Sequence, residues 1–168
     1  NLNLRYGENP HQSGVFSGKL NDVFTKLSGK ELSYNNLLDI DSAMDLILEF
    51  KHNKPTFAIL KHNNACGISV RDKIKDAYDA ALQADPISAF GGILISNSNI
   101  DYETALKIDS IFCEVVISPE FDEKALEILM QKKNRIILKL NSFNIKKNII
   151  RSCLNGKLIQ SSDNITDD

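Results

Sequence analysis

The sequence lacks several patterns by which common functional sites are recognised. It contains no Gly-x-x-x-x-Gly-Lys-Ser/Thr and no Gly-x-Gly-x-x-Gly, so P-loop and dinucleotide sites of those types are not indicated. No His-x-Glu is followed by Pro-Cys-x-x-Cys, which leaves a zinc deaminase site unsupported. The histidines at His11, His52 and His62 have no metal-ligand spacing. We therefore expect no metal site in this chain.

The sequence also has few cysteines, a small net charge and no long apolar run. Cys66, Cys113 and Cys153 are odd in number and form no Cys-x-x-Cys pair, which favours a reducing cytoplasm over a disulfide framework. A formal net charge of -2 gives no electrostatic reason to expect nucleic acid or an acidic membrane surface as a partner. No apolar run approaches a membrane span and no signal-peptide pattern opens the chain. Because it starts at Asn1 without methionine, we interpret the chain as a fragment or a processed product.

What the sequence does contain is an alternation of apolar strands and amphipathic helices. The alternation predicts βαβ units and hence an α/β fold, a three-layer α/β/α domain with a mostly parallel sheet. Asp39 and Asp41 are expected at the N-cap and first turn of the first helix, and residues 15–27 are ambiguous. Strands are expected at 55–60, 68–70, 93–96, 115–117, 136–140 and 157–160, and helices at 37–52, 72–84, 102–111 and 122–132.

The pair Lys61-His62 follows the apolar strand expected at 55–60. Ends of strands are where α/β proteins place reactive groups, because the sheet is rigid and the loop beyond it is open. Lysine can stabilise a developing anion, and histidine can carry a proton near neutral pH. Taken alone, the pair is better explained as a solvated turn after a core strand. The neighbouring Cys66 is interpreted as a structural thiol, since nothing in the sequence indicates a lowered pKa.

Three further polar clusters fall beside predicted strands or helices. Arg5 offers a planar fork suited to phosphate or carboxylate, but a capped surface turn with Arg5 in a salt bridge explains it equally well. Asn35 and Asn36 precede the first helix, where they could bind an anionic ligand or only cap the helix. Phe90, before a double glycine, could stack on a planar heterocycle or pack in the core after a helix stop.

Taken together and in order, these segments resemble the transformylase domain of the AICAR transformylase/IMP cyclohydrolase family. The resemblance extends to Gln160 and implies that residues 1–160 are the first of two cytidine-deaminase-like α/β/α halves without the deaminase zinc. Residues 161–168 would be a polar tail or a linker to the second half, and the cyclohydrolase domain would precede Asn1. The segments are LRYGENPHQ at 4–12, LSYNN at 32–36, KHNNACG at 61–67, DPISAFGG at 85–92, FCEVVISP at 112–119 and GKLIQ at 156–160.

The resemblance implies formyl transfer from 10-formyltetrahydrofolate to the 5-amino group of AICAR, giving FAICAR in purine biosynthesis. His62 matches the proton-transfer histidine of the family and Lys61 its neighbouring lysine. The cyclohydrolase activity would belong to the absent domain, and the intact enzyme would be a cytoplasmic homodimer. Matches to nucleotide-binding positions are Arg5, Tyr6, Asn36 and Glu114, and matches to the folate and base pocket are Ile87, Phe90 and Gly91.

This chain would hold only part of the site, because the family draws further residues from the second half and from the partner subunit. We therefore expect little or no activity from the isolated chain. The alternative is a catalytically silent nucleotide-binding or dimerisation module of the same fold. Collecting Lys61, His62, Arg5 and Phe90 in one cleft would favour the enzyme, and scattering them would favour the module.

Overall fold

In a computed structural model, which describes residues 2–143 and 148–162, apolar segments of five to seven residues form most of the strands of a central sheet. The first two strands, β1 Leu2–Asn3 and β2 Val15–Phe16, have two residues each, and β3 Phe24–Ser28 follows them. The later strands are β4 Thr56–Lys61, β5 Asn64–Val70, β6 Gly92–Ser96, β7 Cys113–Ser118, β8 Ile136–Leu140, β9 Asn148–Cys153 and β10 Gly156–Ser161. The helices are α1 Tyr34–Leu48, α2 Ile74–Ala84, α3 Tyr102–Asp109 and α4 Glu123–Leu129.

The central sheet has six strands in the order β3-β8-β7-β6-β4-β5, and it is mixed. Of the five strand pairs that the structure describes in this sheet, β6–β7 and β7–β8 are parallel and the other three are antiparallel, so the prediction of a mostly parallel sheet is wrong. Strands β5, β6, β7 and β8 do run in one direction, joined by α2, α3 and α4 as the alternation predicted. The difference arises because β4 pairs antiparallel with both β5 and β6, and β3 pairs antiparallel with β8.

Helices cover both faces of the sheet, which confirms the α/β class and the three layers. On one face α1 buries Ile40, Ala43, Met44 and Ile47, whose spacing of three and four residues forms one stripe against the sheet. On the other face α2, α3 and α4 pack against alternate residues of the same strands. Strands β4, β6 and β7 are buried almost throughout, as expected for strands covered on both sides.

The first helix begins earlier than its apolar periodicity suggested. Ser33 is its N-cap and accepts a hydrogen bond from the backbone N–H of Asn36, while the Asn36 side chain accepts from the Ser33 N–H. This reciprocal capping box fixes the start at Tyr34. Asp39 therefore lies in the second turn, and the expectation that Asp39 and Asp41 serve the N-cap and first turn is wrong.

The ends of the chain also refine the sequence-based predictions. The ambiguous segment 15–27 contains β2 and most of β3, which forms one edge of the central sheet. The strand predicted at 157–160 is β10, paired antiparallel with β9 in a separate hairpin. Of the predicted tail at 161–168, residues 163–168 lie outside the described residues. Within the described segments, every helix is too short or too polar to cross a membrane.

Candidate functional site

Lys61 and His62 lie at the tip of a tight hairpin rather than in an open loop. Strands β4 and β5 are joined by two residues, His62 and Asn63, and the flanking Lys61 and Asn64 are paired across the ladder. His62 has φ 50° and Asn63 has φ 63°. Positive φ at both central residues is the pattern of a type I′ turn, which matches the twist of the strands. Asparagine adopts this conformation readily, whereas for histidine it is uncommon.

The hairpin tip forms one wall of a cleft of about 500 Å³. The cleft lies where the carboxyl end of β4 meets the amino ends of β6 and β7, because β4 runs antiparallel to β6 with Leu60 opposite Ile93. Segments far apart in sequence therefore converge here. Of the residues predicted for the site, those that line the cleft are Arg5, Tyr6, Asn36, Lys61, His62, Gly91 and Glu114.

Two of the predicted residues, Ile87 and Phe90, are not part of the lining of the cleft. The Lys61 ammonium donates a hydrogen bond of 2.8 Å to the backbone carbonyl of Phe90, so the cation reaches toward this segment. The Phe90 ring is 61% exposed, with its centroid 5.2 Å from that of Phe112, and Ile87 is 87% exposed. The interpretation of Phe90 as a core residue is therefore wrong, and the aromatic surface is open to a ligand or partner.

The double glycine permits the close approach that its sequence predicts. Gly91 has φ 76°, and its N–H donates to the Phe112 carbonyl at 2.8 Å. A Cβ on Gly92 would lie 2.7 Å from the Leu60 carbonyl oxygen. A side chain at either position would strain the backbone or push β6 away from β4. These glycines therefore hold the Phe90 segment close to the end of the strand that bears Lys61.

Arg5 and Tyr6 form a cationic and aromatic unit at the cleft. The Arg5 guanidinium donates to the Tyr6 hydroxyl at 2.9 Å and lies 4.8 Å from the centre of the Tyr6 ring. Among the described residues no carboxylate forms an ion pair with Arg5, so the alternative of Arg5 in a surface salt bridge is not what the structure has. Arg5 is exposed and can accept an anionic ligand through its fork of N–H donors.

Asn36 both caps helix α1 and orients a carboxylate. Its Nδ2 donates to Glu114 Oε2 at 3.0 Å, while its Oδ1 accepts from the Ser33 N–H at 3.1 Å. The Lys30 ammonium lies 3.4 Å from the other Glu114 oxygen. Because both oxygens of this half-buried carboxylate are engaged, Glu114 has a defined direction in the cleft. Capping and ligand contact were alternatives for Asn36, and the geometry permits both.

The cleft also contains polar residues that the sequence did not single out for the site. Glu8, Lys30, Asp39 and Asn63 line it together with the predicted residues. Glu8 and Asn63 belong to segments already recognised as polar, and Lys30 lies two residues before the segment at 32–36. Burial raises the pKa of Asp39 above 3.8, against the lowering effects of the Asn63 N–H and the His62 imidazole. No pattern in the sequence indicated Asp39, since its helix position looked sufficient to explain it.

Cys66 and metal binding can be considered from the same geometry. Burial is the main cause that raises the pKa of Cys66 above 9.0, with the nearby Asp85 adding to it and Lys61 opposing it. A raised thiol pKa disfavours the thiolate near neutral pH, which agrees with a structural thiol. Across the described segments no group of three or more His, Cys, Asp or Glu side chains is arranged to hold a metal ion.

Comparison with known proteins gives a consistent set of relatives. The sequence profile of the AICARFT/IMPCHase bienzyme family matches residues 1–168. The bifunctional purine biosynthesis protein PurH of Bacteroides thetaiotaomicron is 55% identical over 160 residues, which are 95% of this chain and 31% of that protein. PurH of Prochlorococcus marinus strain MIT 9215 is 49% identical over 174 residues, covering 95% and 34%. PurH of Aquifex aeolicus is 45% identical over 171 residues, covering 96% and 33%. The chain thus spans about a third of the length of these relatives.

Proposed function

The chain belongs to the AICARFT/IMPCHase bienzyme family, and we propose that its cleft is one part of a site that transfers a formyl group to AICAR. The donor is 10-formyltetrahydrofolate, the acceptor is the 5-amino group of AICAR, and the product FAICAR lies on the route to the purine nucleotide IMP. The single observation that supports this most strongly is the convergence of Lys61, His62, Arg5, Asn36 and Glu114 on one cleft.

His62 is proposed as the group that moves the proton. The 5-amino group of AICAR is an arylamine whose lone pair is delocalised into the ring, so it is a weak nucleophile and must lose a proton as the new bond to the formyl carbon forms. An imidazole at the cleft can accept that proton directly or through a relay. The bond between the formyl carbon and the folate N10 then breaks, and the same proton can pass to N10. The transfer therefore balances without a metal or a redox partner.

Lys61 is proposed to stabilise the oxygen of the formyl group. Negative charge develops on that oxygen when the amine attacks, and a fixed cation nearby lowers the barrier. The contact of the Lys61 ammonium with the Phe90 carbonyl supports this role, because it directs the cation toward the proposed folate segment. Ile87, Phe90 and Gly91 make up that segment, and the exposed Phe90 ring is suited to stacking on a flat heterocycle.

The nucleotide is proposed to bind at the opposite side of the cleft. Among the described residues the Arg5 guanidinium donates to the Tyr6 hydroxyl but forms no ion pair with a carboxylate, so its remaining N–H donors can bind a phosphate or a ring oxygen. Tyr6 offers a hydroxyl and an aromatic face beside it. Asn36 and Glu114 form a hydrogen-bonded pair that can recognise donors of the base or the ribose. Both substrates would then meet at the hairpin tip that carries His62.

The remaining elements of the proposal rest on the family. The chain is proposed to be the first cytidine-deaminase-like half of the transformylase domain, with the second half and a partner subunit completing the site of a cytoplasmic homodimer. The mixed sheet with helices on both faces is compatible with this assignment. Because the chain spans about a third of its relatives, we expect the isolated chain to have little transformylase activity. Formyl transfer by the isolated chain at the rate of a full-length enzyme would contradict that expectation.

The decisive experiment is His62→Ala in the full-length family protein that carries this segment. Loss of the proton carrier should lower kcat by about 10²- to 10⁴-fold with little change in AICAR binding measured by calorimetry. The exposed His52, which follows α1, provides a matched control as His52→Ala and should leave both quantities unchanged. Unchanged kcat in His62→Ala would remove His62 from the chemistry and favour the silent nucleotide-binding or dimerisation module.

A further inference from the structure

The turn that presents His62 is held from outside the hairpin by helix α1. The backbone N–H of Asn63 donates to Asp39 Oδ1 at 3.0 Å, and the Ser42 hydroxyl donates to Asn63 Oδ1 at 3.3 Å. Asp39 and Ser42 are three residues apart, so they lie on the same face of α1. The hairpin's own contribution is the bond from Asn64 Nδ2 to the His62 carbonyl at 2.9 Å.

The conformation at His62 requires such support. A left-handed backbone costs an L-residue with a side chain about 1–2 kcal/mol, and such residues persist where the surroundings enforce them. The strands fix only the two ends of the turn, through the pairing of Lys61 with Asn64. A charge-assisted bond to the central amide is stronger than a neutral one and also fixes its direction. Asp39 supplies such a bond to the Asn63 amide.

The position of Asp39 is not explained by its own helix. Ser33 caps α1, and Asp39 lies in the second turn, too far along to satisfy the free N–H groups. Burial disfavours its charged form, so the carboxylate is kept at a cost to the fold. A group kept in a cleft against its own desolvation is a candidate for a functional role, provided that geometry supports it.

We propose that Asp39 is a positioning residue: its carboxylate, by accepting the Asn63 N–H, holds the left-handed turn that places His62 in the cleft. This inference rests on the proposed function for the role of His62, but the hold on the turn can be measured separately. Asp39 does not contact the reacting atoms in this scheme. Its effect on the reaction passes through the backbone of the turn.

The first test measures the turn itself in the 168-residue chain. Asp39→Ala removes the acceptor and should raise the exchange rate of the Asn63 amide by about 10- to 100-fold, as expected for a lost hydrogen bond to a charged group. Asp39→Asn keeps an acceptor oxygen and should retain most of the protection. Asp76→Ala removes an exposed aspartate from α2 and serves as the control. An unchanged Asn63 exchange rate in Asp39→Ala would overturn the assignment.

The second test measures turnover in the full-length family protein that carries this segment. Asp39→Ala should lower kcat by about 10- to 100-fold, the loss that a small misplacement of a catalytic group produces, while KM for AICAR changes little. Asp39→Asn should restore most of kcat. Wild-type kcat in Asp39→Ala, combined with lost Asn63 protection, would overturn the positioning role. A His62→Ala variant with full activity would instead overturn the proposed function, while the exchange data would still decide the hold of Asp39 on the turn.

Discussion

Replacing Gly67 by alanine should destabilise the fold at β5, the second strand of the hairpin whose turn carries His62. Gly67 is buried in β5, and a Cβ there would overlap the Ala81 carbonyl oxygen and lie 2.9 Å from its carbon and 3.1 Å from Ala84 Cβ. The oxygen belongs to the backbone of α2, so the clash is relieved only if the helix and β5 move apart. Overpacking of this kind costs about 1–3 kcal/mol.

An opposing effect reduces that cost without reversing it. The φ of Gly67 lies outside the left-handed region, so alanine can adopt the same backbone conformation. Alanine also lowers the conformational entropy of the unfolded chain, which stabilises the folded state by about 0.4–1 kcal/mol. Because the overlap is with backbone atoms, the cost lies near the upper end of its range, so the net loss of unfolding free energy is about 2–2.6 kcal/mol. A loss of this size lowers Tm by about 4–10 °C for a chain of this size.

The assay is thermal and urea unfolding of Gly67→Ala beside Gly156→Ala. A Cβ on Gly156 would meet only the Cys153 carbonyl oxygen, at 3.9 Å, so this control has the unfolded-state effect without the clash and should raise the unfolding free energy by about 0.4–1 kcal/mol. Equal midpoints for the two variants would refute the reasoning, because they would mean that β5 and α2 can separate at no cost.

Two other predictions concern the cleft. Burial raises the pKa of Asp39 in the folded state, so the folded protein binds this proton more tightly than the unfolded chain does. The resulting stabilisation of the fold is fully present below pH 3.8 and is lost as pH rises through the folded pKa. Asp39→Asn should therefore gain stability relative to wild type between pH 3 and pH 7, and a pH-independent difference in urea midpoints would contradict this. Phe90→Ala should raise KM for 10-formyltetrahydrofolate about two- to tenfold in the full-length protein, with AICAR less affected; equal effects on both substrates would count against folate stacking.

The fold was predictable where the hydrophobic pattern of each segment matches the element that it forms in the sheet or in its helical layers. The strand–helix alternation from β5 to β8 follows the sequence closely, because each helix returns the chain to a parallel strand. The direction of β4 was not predictable, since it depends on a two-residue turn. In a sequence, such turns are identified by a glycine or by the pair Asn-Gly, and His62-Asn63 contains neither. Residues 15–27 stayed ambiguous because an edge strand such as β3 is defined by its partner β8 rather than by its own pattern.

The candidate site was predictable to the extent that its residues stand in recognisable segments. Arg5, Lys61 and His62 belong to such segments, and the structure places them in one cleft. Lys30 and Asp39 enter the same cleft through tertiary contacts, with Glu114 and Asn63 respectively. One sequence gives no signal for contacts between residues 84 and 24 positions apart. For Phe90 the residues alone left stacking on a ligand and packing in the core open, and the exposed ring excludes the core.

Because β4 runs antiparallel to β6, Lys61 at the end of β4 lies near the Phe90–Gly91 segment that precedes β6. If β4 ran parallel to β6, its carboxyl end would adjoin Ser96, the carboxyl end of β6, and Lys61 would face away from Gly91. In the observed register Leu60 lies opposite Ile93, which sets Lys61 beside the Phe90 carbonyl. The strained turn at His62 follows from the same arrangement, because only a two-residue connection returns the chain into β5 at once. The left-handed histidine is thus a consequence of the topology, and an acceptor on α1 such as Asp39 is what such a turn needs to stay ordered.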